Sequence, residues 1–171
     1  SIKMLMQRLY DFGHRKIGFL NVHQSFNYGF QRKKAYEEFY KNKNIKFNRK
    51  YYLESLDHTT LTGIHLSKKL LDLKDPPTAI ICSVDKYFIG CLQECQTRGL
   101  VIAKDISVVG YNDHDNYLSS QNLTYISHPL AEMGKMAVDM LEKMDKGEKP
   151  KNLTQLIEPI LNEGKSDGKV S

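Results

Sequence analysis

A chain of 171 residues with 40% apolar and 26% charged side chains has material for one domain with a sizeable core. Its net charge of +5 at pH 7 invites a nucleic-acid reading, but many basic residues sit beside acids, as in Glu142-Lys143-Met144-Asp145-Lys146, and describe a solvated surface. No apolar run is long enough to span a membrane, no secretory leader is recognisable, and three cysteines without framework spacing point to a reducing, cytoplasmic setting.

The chain opens inside a helical pattern, Met4 to Phe12, stopped by Gly13, so it is expected to be a piece of a longer protein. Ile17 to Asn21 reads as a short strand, and Tyr28 to Lys41 as a helix with Phe30, Ala35 and Phe39 available to a core. Tyr51 to Glu54 is a second strand. Asp57-His58-Thr59-Thr60 supplies caps for a helix over Leu61 to Leu73. After Pro76-Pro77 come a third strand, Ala79 to Cys82, and a helix, Asp85 to Arg98, closed by Gly99. Ile106 to Gly110 is a fourth strand and Tyr125 to Ser127 a fifth. Pro129 suits the first turn of a helix running from Leu130 to Lys146, whose Leu130, Met133, Ala137, Met140, Leu141 and Met144 form one apolar face. The tail from Leu153 to Leu161 reads as extended. Repeated strand–helix units predict an α/β fold, a doubly wound, mostly parallel sheet with helices on both faces.

The most informative stretch is Asp105-Ile106-Ser107-Val108-Val109-Gly110-Tyr111-Asn112-Asp113, an apolar run ending in a glycine, an aromatic and two polar residues. Such a run reads as a strand buried on both faces, with the polar pair at the carboxyl end, where open parallel sheets bind ligands. Pro77-Thr78-Ala79-Ile80-Ile81-Cys82-Ser83-Val84-Asp85 precedes it, and Leu123-Thr124-Tyr125-Ile126-Ser127-His128-Pro129 follows. With Phe12-Gly13-His14-Arg15-Lys16-Ile17-Gly18-Phe19-Leu20 and Arg32-x-x-Ala35-Tyr36, this ordered set resembles the LacI/GalR family of sugar-responsive transcription regulators, from about Leu9 to about Ser166.

The resemblance implies half of a periplasmic-binding-protein-like I effector region. Residues 1–14 would be a helix from a missing N-terminal subdomain, 15–128 the C-terminal effector-binding subdomain, 129–152 a crossover helix of the other subdomain, and 153–171 a closing strand and tail. The two helices assigned to the other subdomain would lack their usual cover, and are expected to pack together or against a second copy. The implied partners are a small-molecule effector, a carbohydrate in most of the family, DNA through an absent headpiece, and a second copy in a homodimer involving the Asp85–Arg98 helix. No cofactor is implied. A solute-binding protein of a sugar ABC transporter shares the architecture and is the alternative.

By the same resemblance Arg32 matches an effector-contacting arginine, whose fork can donate to two hydroxyls or a carboxylate, with a plain surface arginine as the other reading. Asn112 stands where the family has an aspartate that binds effector hydroxyls; it could equally be a turn residue. Val84 replaces the family's usual asparagine and removes a side-chain hydrogen bond. Asp85 keeps the family pattern, although a role in capping its helix is the simpler reading. His128, at the crossover, contacts ligand or packs in the hinge. Phe26, with Tyr28, Tyr87 and Phe88, could offer a stacking face, although such aromatics commonly belong to a core. Gly164-Lys165-Ser166 lacks the upstream glycine of a phosphate loop, since Pro159 stands there. Asn112-Asp113-His114-Asp115 is too contiguous to converge on a metal. No nucleophile, base and oxyanion set assembles, so no enzyme is expected.

Overall fold

The computed structural model describes residues 1–111, 121–148 and 154–170. In chain order the elements are α1 (Ile2–Asp11), β1 (Ile17–Val22), α2 (Asn27–Asn42), a 3-10 turn (Arg49–Tyr51), β2 (Tyr52–Ser55), α3 (Thr60–Leu71), β3 (Ala79–Cys82), α4 (Asp85–Thr97), β4 (Ser107–Tyr111), β5 (Tyr125–Ser127), α5 (Leu130–Asp145) and β6 (Ile160–Asn162). The strands form one sheet in the order β2-β1-β3-β4-β5-β6, parallel through β5, with β6 antiparallel at the edge.

Every residue of β1, β3 and β4 is buried, as expected when helices cover both faces of a parallel sheet. The period of two divides their side chains. Ile17, Phe19, Ala79, Ile81, Val109 and Tyr111 join a core with α1 and α2, while Leu20, Val22, Ile80, Cys82 and Val108 join one with α3 and α4. On the second face the two helices meet backbone to backbone. A Cβ on Gly90 would lie 2.4 Å from the Thr60 carbonyl oxygen, and one on Gly63 would lie 2.7 Å from the Tyr87 Cα. Thr59 caps α3, its hydroxyl accepting from the Thr62 N–H at 3.2 Å. Cys82, Cys91 and Cys95 are free and buried in this core. Contact with Cys82 and burial push the Cys91 thiol up; contact with Cys91 and burial do the same for Cys95.

Three features differ from expectation. Helix α1 does not lack cover. Its stripe of Ile2, Leu5, Met6 and Leu9, at helical spacing, is buried on this sheet in the core it shares with α2. Phe30, expected in the core, is 48% exposed; Tyr36, Phe39 and Tyr40 fill the inner stripe of α2 instead. The extended tail pairs only over Ile160–Asn162. Helix α5, by contrast, buries no residue, and its Val138 and Leu141 are 54% and 64% exposed.

Beyond β6 the chain is tied down by polar bonds. The Ser166 carbonyl accepts from Val108 N–H (2.8 Å) and its hydroxyl from Thr124 N–H (2.9 Å). The buried Asp167 carboxylate accepts from Arg8 Nε and the Thr124 hydroxyl, and Val170 N–H donates to the Phe12 carbonyl at 2.9 Å. The Gly164-Lys165-Ser166 triplet is therefore a structural strap. His14, also buried, faces the Thr78 hydroxyl through Nδ1 (2.9 Å) and the Gly168 carbonyl through Nε2 (3.0 Å). A carbonyl can only accept, so the network assigns the proton to Nε2.

Candidate functional site

The strand order reverses between β1 and β3: the chain leaves β1 for β2 on one side and places β3 to β6 on the other. Crossovers departing in opposite directions open a crevice beyond the carboxyl ends of those strands, the usual ligand position in open α/β sheets. Ser83 locks the two ends together, its N–H donating to the Leu20 carbonyl (2.9 Å) and its hydroxyl accepting from Val22 N–H (3.1 Å).

Arg32, in the second turn of α2, reaches over this point. Its Nη1 donates to the Ser83 carbonyl at 2.7 Å, and its guanidinium carbon lies 4.0 Å from the ring centre of Tyr111 and 5.3 Å from that of Tyr28. Cation–π contact contributes roughly 0.5–2 kcal/mol per ring, so a long side chain is held in one pose. Among the described residues the other N–H groups of Arg32 meet no protein acceptor, leaving part of the fork for a ligand. Tyr111, the last residue of β4, also stacks on His128 with ring centres 6.1 Å apart and planes at 25°. Arg32 and His128, placed on separate elements by the sequence, thus meet on one tyrosine.

Phe26 lies beside this row, its ring 5.7 Å from Tyr28 and 5.2 Å from His58; His58 in turn meets Tyr87 edge-on at 6.3 Å. The His58 Nε2 is buried without a hydrogen-bond partner among the described residues. In the sequence His58 stands out only as part of a cap, and Tyr111 carries no marked role. The available signal was position, an aromatic closing the apolar run of β4. Tyr87 and Phe88, by contrast, are fully buried core residues of α4.

Val84 occupies the N-cap position of α4 and packs against the core, making no side-chain cap. Asp85 is the first helical residue, its carboxylate accepting from Lys86 N–H at 2.7 Å. Asn112, and with it Asp113, His114 and Asp115, lies outside the described residues. Among the described residues no cluster of three or more histidines, cysteines or carboxylates could hold a metal. A half-buried arginine fork between tyrosine faces can recognise acceptor oxygens on a ligand that also carries a flat or apolar face.

Residues 6–166 match the family model described as a periplasmic binding protein-like domain. The ribose operon repressor of Haemophilus influenzae is 34% identical over 154 residues, covering 88% of this chain and 46% of that protein. The transcriptional repressor PurR of Vibrio vulnificus is 33% identical over 135 residues, covering 78% of this chain and 40% of the repressor. A regulatory protein of the LacI family from Chloroflexus aggregans superposes with a TM-score of 0.88 at 27% identity, covering 98% of this chain and 60% of its own. The chain thus spans about half the length of the curated relatives it matches. No helix among the described residues is long and apolar enough to cross a membrane. Matched across nearly its whole length, the chain belongs to the periplasmic binding protein-like domain family and is of the LacI/GalR effector-binding type.

Proposed function

We propose that this chain is the C-terminal part of the effector-binding and dimerisation region of a LacI/GalR-type transcription regulator, and that Arg32 is its principal effector contact. The observation that carries the reading is Arg32 held over the β1/β3 switch point between Tyr28 and Tyr111. Tyr111 and His128 line the same side of the cleft, Phe26 and His58 form an aromatic rim, and Asn112, directly after β4, adds a donor and acceptor. Val84 brings an apolar contact where a hydrogen bond is usual, and Asp85 serves chiefly the start of its helix.

The effector is a small molecule rich in acceptor oxygens, a carbohydrate or nucleoside, and it binds between this subdomain and a second one elsewhere in a longer polypeptide. Closure on the effector changes the relative angle of the subdomains, and thereby the spacing of two DNA-binding heads in a homodimer. Residues 15–128 form the core of this subdomain; α5 is a crossover helix whose apolar face is covered by the other. The outer faces of α3 and α4, with Leu61 exposed, supply part of the dimer contact. The buried free thiols favour a cytoplasmic protein, and the repressors among the relatives favour a regulator over a transporter component.

The test is a thermal-shift screen of the longer polypeptide against pentoses, hexoses, nucleosides and purine bases. One class is expected to raise the melting temperature, and Arg32→Ala to remove that shift while lowering the unliganded melting temperature by a few degrees at most, through loss of its ring contacts. A shift that survives Arg32→Ala, or no shift with any class, contradicts the assignment.

A further inference from the structure

The net positive charge is concentrated at one place. Between Lys41 and Leu53 the chain carries Lys41, Lys43, Lys46, Arg49 and Lys50 and no acidic residue. Lys41 faces Glu38, and Lys43 lies over the rings of Tyr10 and Phe39. Among the described residues no carboxylate lies within 4 Å of Lys46, Arg49 or Lys50. All three are exposed.

The segment is nonetheless anchored. Ile45 and Phe47 pack against the core, Ile45 N–H donates to the Tyr40 carbonyl (3.0 Å), and the Asn48 side chain accepts from Lys50 N–H (3.1 Å). Tyr51 is buried, with its hydroxyl donating to the Asp75 carbonyl at 3.0 Å. Cations on an anchored backbone lose less entropy on meeting a partner than cations on a tail. The segment leads directly into β2, which among the described residues pairs only with β1 and forms one edge of the sheet. It lies at the amino ends of the strands, opposite the Arg32 crevice, so a partner here would leave the crevice open.

We propose that Lys46, Arg49 and Lys50, with the free edge of β2, form a docking surface for an extended acidic peptide segment of a partner protein. An extended chain laid along β2 would gain backbone hydrogen bonds while its carboxylates meet the three cations. Single-stranded nucleic acid is disfavoured because the segment offers no exposed aromatic ring for stacking. A membrane is disfavoured because no large apolar side chain between Phe30 and Leu56 is strongly exposed.

The test measures binding of a fluorescent, glutamate-rich peptide of about twelve residues, long enough to overrun the strand, by polarisation at low and high salt. K46Q/R49Q/K50Q is compared with K135Q/K143Q/K146Q, which removes the same charge from exposed positions on α5 and its C-cap; unchanged circular dichroism and melting confirm that both fold. The proposal predicts salt-sensitive binding, weakened about tenfold by the first variant and less than about twofold by the second. Equal losses would reduce the effect to net charge and overturn it. Absence of binding would leave the cations as guards of an open strand edge and also overturn it. Tighter binding of a DNA duplex or of anionic vesicles, lost in the same variant, would replace the peptide with that partner.

Discussion

At the scale of single residues, His14 makes a prediction that no ligand is needed to test. Its ring is buried, and that burial holds its pKa below the usual histidine value. A base with a depressed folded-state pKa contributes no penalty above its unfolded pKa, near 6.5. As pH falls below that value the unfolded chain takes up a proton that the folded state, with His14 bonded to Thr78 and Gly168, resists, so stability is lost until pH reaches the folded pKa. The melting temperature should therefore begin to fall as pH drops below about 6.5, before the carboxylates start to titrate. His14→Gln should be less stable at pH 7.5 but show a flatter profile. Parallel profiles would remove His14 as the cause. Arg32 makes the complementary argument: it contributes little to the core but is fixed by two rings and one carbonyl. Beyond the modest stability those contacts supply, its main effect belongs in ligand binding.

At the scale of elements, α3 and α4 approach so closely that Gly90 has no room for a methyl group. Because the obstruction is backbone, Gly90→Ala should destabilise the chain by about 1–3 kcal/mol, read by urea unfolding. An unchanged midpoint would mean that the helices slide apart freely. Helix α5 predicts the reverse, since its apolar side chains are already exposed. L141E/M144E should alter unfolding free energy by no more than about 0.5 kcal/mol, yet markedly reduce dye binding and concentration-dependent association. A large loss of stability would show that α5 is packed in this chain. The strands were legible in the sequence because burial on both faces writes them as apolar runs, as in Ala79–Cys82. The placement of α1 was not, because a helical stripe reports one apolar face without saying which sheet it covers. The tail escaped for another reason: Ser166 and Asp167 are held by side-chain and backbone hydrogen bonds that leave no periodicity.

At the scale of the whole molecule, strand order brings residues far apart in sequence to one crevice. Arg32 and His128 were readable as candidates from family-like motifs, and Phe26 only as an aromatic that could offer a stacking face. The convergence of Arg32 and His128 on Tyr111, and the stacking of His58 on Phe26, depend on side-chain packing across the sheet and left no local pattern. Beyond the crevice, the proposed function makes this chain one half of a two-subdomain structure, with α5 belonging energetically to the other half. A sixteen-residue helix that buries nothing is marginal by itself, because helices of this length draw most of their stability from packing. The most direct measurement is amide hydrogen exchange on this chain and on the longer polypeptide. The account predicts that α5 exchanges orders of magnitude more slowly in the longer polypeptide, while β1, β3 and β4 are protected alike in both. Equal protection of α5 in the two proteins would contradict it.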